Sequence, residues 1–209
     1  MTVALVGYGA LGKQVRYLLE NSGKRDFILF DDPALSLKEP TARAFHCCVD
    51  PEFAMADFYI CLGYLHLEKR REWLRKLLAL GRRLPALVHP SSFVSPTARI
   101  GHGAIVYPGC NIDQHVSIGD GTLLNNSVVV SHDSEIGEGA FLAPGAIICG
   151  SARVGAGSFI GAGTVVSNGI RVGEACQVGA ASLVAVDLPD GSSAIGNPLK
   201  KLDRPLKLT

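Results

Sequence analysis

The sequence predicts two folds in tandem: a Rossmann-like α/β domain over residues 1–90, then a parallel β-helix with a C-terminal cap over residues 91–209. Three observations carry this expectation. An aliphatic residue recurs at every sixth position from Val94 to Val184, glycine follows many of those aliphatics, and the chain opens with a strand, a glycine-rich turn and an amphipathic helix in close succession.

The opening stretch, TVALVGYGALGKQVRYLLENSG, reads as a buried strand, a turn and a helix, and FILFDD as a second strand ending in two acids. Gly7, Gly9 and Gly12 fit the G-x-G-x-x-G spacing, in which backbone N–H groups at a helix N-terminus cradle phosphate. Asp31 and Asp32 stand where an acid takes a ribose hydroxyl. Ninety residues do not supply two complete mononucleotide-binding halves, so a nucleotide smaller than a dinucleotide is expected. DFYICL is a third buried strand, LEKRREWLRKLLALG a helix, and LPALVH a last strand leading into the repeat. Lys69, Arg70, Arg71, Arg75 and Lys76 are expected on the solvated face of that helix, opposite Trp73, Leu74, Leu77 and Leu78.

The repeat then runs through Ile100, Val106, Ile112, Ile118, Leu124, Val130, Ile136, Leu142, Ile148, Val154, Ile160, Val166, Val172 and Val178 without a break. A mostly small residue sits two places before each aliphatic, as in Ala104, Cys110, Thr122, Ser134, Ala146 and Cys176. Period six means short strands with inward aliphatics, separated by turns, coiling so that stacked turns bury one continuous core. Gly101, Gly119, Gly137, Gly155, Gly161, Gly173 and Gly179 follow their aliphatics, where tight turns favour residues without Cβ. Cys110 and Cys176 occupy the small inward slot as core filler.

Composition removes several function classes. With 20 Lys plus Arg against 19 Asp plus Glu, charge alone implies neither nucleic acid nor an acidic membrane. No basic segment followed by a long apolar run opens the chain, so a cytoplasmic protein is expected. The six Cys show no paired CxxC spacing, which leaves reduced structural thiols.

The stretch LLNNSVVVSHDSEIGEGAFLAPGAIICG, the junction VHPSSFVSPTA and the closing VDLPDGSSAIGNPLKKL resemble one family: sialic acid O-acetyltransferases and bacterial nucleotide-aminosugar N-acetyltransferases. Nearly the whole chain takes part. The resemblance implies a left-handed parallel β-helix of hexapeptide repeats, three to a coil of 18 residues; about five coils, spaced by roughly 4.8 Å, would give a prism about 24 Å long. It implies acetyl-CoA as co-substrate, a nucleotide-linked sugar bound by the N-terminal domain, no metal, and a homotrimer with active sites between subunits. His132 and Asp133 match the family's catalytic pair. Gly7, Tyr8, Gly9, Gly12, Asp31, Asp32 and Asn125 are the implied acceptor contacts, and Phe141, Gly150, Ala162, Ala180 and Lys200 the implied acetyl-CoA contacts.

The chemistry of the pair agrees. A sugar amine or hydroxyl loses a proton as it attacks a thioester, and a neutral imidazole suits that transfer near pH 7. In 18-residue coils His132 stacks between Gln114 and Gly150, where a missing side chain gives the thioester room and an N–H for its developing negative charge. By the same arithmetic Asp133 stacks on His115, which leaves open whether it orients His132. A His102, His115 and His132 metal set, like that of the γ-class carbonic anhydrases, is not expected, because their stacking positions do not converge.

Two positions depart from the family. Phe141 stands where a second His is common, nine residues after the first, and Gly9-Ala10-Leu11-Gly12-Lys13 replaces a Gly-Gly-His loop. The leading expectation is N-acetylation of a nucleotide-linked amino sugar. The alternatives are O-acetylation of sialic acid or another sugar hydroxyl, and a non-catalytic trimeric scaffold whose first domain senses a nucleotide.

Overall fold

The computed structural model describes residues 2–31 and 42–207. The chain divides into two compact units, Met1–Pro85 and Ala86–Thr209.

The first unit is built on a parallel sheet. Strand β1 (Val3–Val6) pairs with β2 (Phe27–Asp31) and with β4 (Asp57–Ile60), and β3 (Arg43–Ala44) extends the sheet beyond β2, giving the order β3-β2-β1-β4. β1 and β4 are buried throughout; β1 is wholly apolar, as a central parallel strand tends to be, and β4 is apolar after Asp57, whose carboxylate pairs with Arg83 and Lys24. Helix α1 (Ala10–Asn21) buries Gly12, Val15 and Leu19, one stripe at helical spacing.

Helix α2 (Leu67–Ala79) corrects one expectation. Its buried stripe is Arg70, Trp73, Leu74 and Leu77, so Arg70 lies in the interior at 1% exposure rather than on the solvated face. The reason is spacing: Arg70 precedes Trp73 and Leu74 by three and four residues and shares their face. Its Nη1 donates to the Leu62 carbonyl at 3.0 Å. Lys69 and Lys76 stay exposed, with ammonium groups 5.2 Å from the Phe45 ring and 4.6 Å from the Trp73 ring.

The second unit is a left-handed parallel β-helix of two-residue strands. Among the described residues they fall into three sheets of five, eight and six strands, in which strands pair in parallel with those of the neighbouring coil, except that the last, Lys200–Leu202, pairs antiparallel with Ser193–Ile195. The register is 18 residues: Glu135 faces Arg153 and Ile136 faces Val154, while Val129 faces Ile147 and Val130 faces Ile148. The sixth-position aliphatics form the core, with Leu124, Val130, Leu142, Ile148, Ile160, Val166 and Val178 fully buried. Cys110 and Cys176 are buried in it, and burial pushes both thiols up.

The coil begins one hexapeptide earlier than the periodic run. Leu87–Val88 pairs with Ile105–Val106, so LPALVH supplies the first strand of the β-helix and the stack reaches about six turns rather than five. The glycines after the aliphatics also have a different cause from the one expected. A Cβ on Gly137 would lie 2.5 Å from the Ala156 nitrogen, a backbone atom of the next coil, so close stacking excludes a side chain there. The left-handed backbone instead falls two residues later, at Gly139 with φ 65° for example.

The outward rows differ sharply. One sheet presents Arg99, Ser117, Glu135, Arg153 and Arg171, all exposed, with Arg153 Nη2 3.4 Å from Glu135 Oε1. The six-stranded sheet presents Phe93, Asn111, Val129, Ile147, Val165 and Leu183, of which Phe93 is 58% and Ile147 36% exposed. The eight-stranded sheet presents Ile105, Leu123, Phe141 and Phe159, all buried.

Candidate active site

One corner of the prism carries a cluster of titratable groups. Residues 131–134 turn the chain from Val129–Val130, in the six-stranded sheet, to Glu135–Ile136, in the five-stranded one. Neighbouring coils brace the turn: Asp133 N–H donates to the Gln114 carbonyl at 3.1 Å and Ser151 N–H to the His132 carbonyl at 2.9 Å. The third turn residue is left-handed on three successive coils, His115 at φ 57°, Asp133 at 58° and Ser151 at 58°. Asp and His are among the side chains that tolerate this conformation.

Asp133 joins two histidines. Its Oδ2 is 2.8 Å from His132 Nδ1 and its Oδ1 is 3.3 Å from His115 Nδ1. The hydrogen bond from His132, and secondarily that from His115, holds the Asp133 carboxyl below the usual carboxylate range. With a carboxylate accepting at Nδ1, the neutral His132 ring carries its lone pair on Nε2. The ring edge containing Nε2 lies against Gly150: a Cβ there would be 2.6 Å from Nε2 and 2.7 Å from Cε1. The space left by the missing side chain is thus taken by the imidazole itself.

Asp133 therefore contacts both histidines, His132 through Oδ2 and His115 through Oδ1. This geometry revises the expectation that the histidines diverge, because His115 and His132 converge on one carboxylate. His102 lies on another corner, and among the described residues no three His, Cys, Asp or Glu are grouped to hold a metal ion.

Other expected site residues lie elsewhere in the same unit. Asn125, Ala162 and Ala180 sit on the neighbouring corner, between the eight- and six-stranded sheets. Asn125 Oδ1 accepts from Asn126 N–H at 2.8 Å, and Ala162 and Ala180 are exposed on successive coils, with Ala181 N–H donating to the Ala162 carbonyl at 2.8 Å. Phe141 is buried in the eight-stranded sheet, stacked on Phe159 with ring centroids 5.8 Å apart and planes at 22°. Lys200 is exposed at the start of the last strand, Lys200–Leu202, which runs antiparallel to Ser193–Ile195, and Leu199 beside it packs on the core.

In the first unit, Gly7, Tyr8, Gly9 and Gly12 form the turn from β1 into α1. Gly7 has φ 95°, and a Cβ on Gly12 would lie 2.4 Å from the Gly7 carbonyl oxygen, so helix and turn fit only without a side chain there. Nothing lies within 4 Å of a Cβ placed on Gly9, the residue at the N-cap of α1, where no side chain caps the helix. This is the open helix N-terminus that an anion requires. The Tyr8 hydroxyl accepts from Arg16 Nη1 at 3.0 Å, a local role the sequence did not disclose. Asp31 ends β2, largely buried; Asp32 lies outside the described residues.

The 18-residue register brings His115 to Asp133, and the structure shows that contact beside the one to His132. Arg70 is the residue whose place the sequence did not disclose, buried on the apolar stripe of its helix.

Comparison with known proteins adds a frame to this geometry. The family described as the GMPPB C-terminal domain matches residues 88–186. The chain is similar to the acetyltransferase domain of PglB from Neisseria gonorrhoeae in complex with acetyl coenzyme A, with 30% identity, 96% of this chain and 98% of that one covered, and a TM-score of 0.87. It is similar to PerB from Caulobacter crescentus in complex with CoA and GDP-perosamine, with 30% identity, 97% of each chain covered and a TM-score of 0.88. WeeI from Acinetobacter baumannii, 22% identical with a TM-score of 0.85 over 97% of this chain and 100% of its own, shares the fold. No curated protein matches the chain in sequence. No helix among the described residues is long and apolar enough to cross a membrane.

Proposed function

The chain belongs to the hexapeptide-repeat sugar acetyltransferases and is an acyltransferase, and on that premise we propose that it moves the acetyl group of acetyl-CoA to the amine of a nucleotide-linked amino sugar, with His132 as general base. The observation that carries the proposal is the His132 ring, bonded through Nδ1 to Asp133 and with Nε2 against Gly150. CoA and GDP-perosamine in the complex of a relative at 30% identity support the two substrates.

His132 Nε2 accepts a proton from the acceptor nitrogen as that nitrogen attacks the thioester carbonyl carbon. A C–N bond forms, the C–S bond breaks, and the imidazolium returns its proton to the departing sulfur. Asp133 keeps Nδ1 as the donor nitrogen and offsets the positive charge that His132 carries midway. Such proton transfer contributes about 10²- to 10⁴-fold. The Gly150 N–H is assigned to the negative charge that develops on the thioester oxygen.

The Gly7–Gly12 turn, with Tyr8, is assigned to the nucleotide phosphates and Asp31 with Asp32 to the ribose, which makes the first unit, Met1–Pro85, a nucleotide-sugar-binding, Rossmann-like domain and the second, Ala86–Thr209, the acyltransferase domain. The open Gly9 backbone at the start of α1 supports this. Pantetheine contacts are assigned to Gly150, Phe141, Ala162 and Ala180, a phosphate contact to Lys200, and an acceptor contact to Asn125.

His132 and the pair Ala162 and Ala180 occupy the two corners that flank the six-stranded sheet, whose outward row is apolar apart from Asn111 and partly exposed. That row supports a homotrimer with active sites between subunits, since burying it against another copy brings different corners together. The enzyme is placed in the cytoplasm with its co-substrate.

The test is thiol release from acetyl-CoA with a panel of nucleotide-linked amino sugars, sialic acid and simple sugar hydroxyls. Turnover confined to an amino sugar is the expected result; turnover confined to a hydroxyl acceptor overturns N-acetylation, and silence across the panel overturns the acetyl-transfer reading.

A further inference from the structure

Asp133 is shared, and the second histidine has no place in the reaction as written above. His115 lies one coil before Asp133 and is held there by its own backbone: its N–H donates to Thr97 Oγ1 at 3.0 Å and its φ of 57° is the left-handed value of this corner. From that anchor its Nδ1 reaches Asp133 Oδ1 at 3.3 Å while His132 Nδ1 takes Oδ2 at 2.8 Å. A carboxylate held at only one oxygen turns about its Cβ–Cγ bond; held at both, it has one orientation. The side chains of His115, Asp133 and His132 are 61%, 52% and 49% exposed, so no wall of packed atoms fixes that rotation.

We propose that His115 is a positioning residue for acetyl transfer: by holding Oδ1 of Asp133 it keeps Oδ2 aimed at His132 Nδ1, and so keeps Nε2 facing its substrates. The proposal rests on the reading of His132 as the base. Other titratable groups of this corner are engaged or a coil away. Asp113 Oδ1 accepts from Gln114 N–H at 2.7 Å, Cys149 lies in the next coil, and Glu135, on the strand that follows, pairs with Arg153. Thr97, Ser131 and Ser151 complete the surroundings and are neutral. His115 and His132 are therefore the two side chains of this corner bonded to the Asp133 carboxylate.

The test uses two variants that suit a left-handed backbone. His115→Gly removes the donor without strain, and His115→Asn keeps an amide donor on a side chain that tolerates positive φ. In His115→Gly, kcat falls roughly threefold to tenfold with KM for acetyl-CoA and for the acceptor unchanged, since a misaligned base loses rate rather than binding. His115→Asn recovers much of that loss. The Asp133 carboxyl, followed by its ¹³Cγ shift, titrates at higher pH in His115→Gly than in wild type, because a hydrogen bond that favours its ionised form is gone. In an Asp133→Asn background the glycine substitution adds no further loss. An unchanged kcat in His115→Gly overturns the proposal whatever the titration shows, as does an equal loss in the Asp133→Asn background. Silence of the wild-type enzyme on every acceptor is a different failure, that of the acetyl-transfer reading, and it leaves the Asp133 titration as a direct report on the His115 contact.

Discussion

The two units use the same device, a glycine that makes room, for opposite ends. In the β-helix, Gly150 gives up its side chain so that the imidazole of His132, 18 positions earlier, fits against the coil. In the α/β unit, Gly12 does so for backbone, the carbonyl of Gly7, while Gly9 leaves open space. The first glycine makes room for a side chain, the second for backbone, and the third borders open space at the start of a helix. Which role a glycine has follows from what its missing Cβ would meet, and the sequence motif around it does not distinguish them.

Substitution with alanine breaks this comparison or sharpens it. Gly150→Ala is expected to have the largest effect on activity: a methyl group 2.6 Å from His132 Nε2 displaces the ring, and kcat falls about 100-fold. Its thermal unfolding stays near that of wild type, because the collision partner is a half-exposed side chain. Full activity would mean the ring works from another position. Gly12→Ala meets backbone at 2.4 Å and is expected to lose roughly 2 kcal/mol in denaturant unfolding. Gly9→Ala, with nothing within 4 Å, is expected to stay within about 0.5 kcal/mol of wild type while weakening affinity for the nucleotide-linked acceptor. A Gly9→Ala protein as unstable as Gly12→Ala would erase the distinction. In the core, where the repeat makes environments alike, Ile118→Ala and Ile136→Ala, both buried and adjacent in one stack, should each cost about 2–4 kcal/mol and agree within about 1 kcal/mol. A wider gap would show that the coils are less equivalent than their register.

How far the sequence could be read follows from the same contrast. In the repeat, neighbours are arithmetic: the 18-residue register alone sets Gln114 and Gly150 beside His132 and His115 beside Asp133. Two things escaped that arithmetic. Leu87–Val88 reads as the last strand of the preceding domain, although it pairs with Ile105–Val106 as the first of the β-helix, and the sharing of one carboxylate by two histidines depends on side-chain rotation, which register does not encode. In the α/β unit no repeat supplies neighbours, and charge misled. Arg70 was assigned to solvent with its basic companions, although its spacing to Trp73 and Leu74 marked the buried stripe. The bond from Arg16 Nη1 to the Tyr8 hydroxyl likewise joins residues that no repeat relates.

The central claim is that His132 is the base for transfer from acetyl-CoA. Its most direct test is kcat for acetyl transfer to the accepted amino sugar in wild type and in His132→Ala, with acetyl-CoA affinity measured on both proteins by calorimetry. The account predicts a loss of at least about 100-fold in kcat with acetyl-CoA still bound; a variant that turns over at the wild-type rate would contradict it.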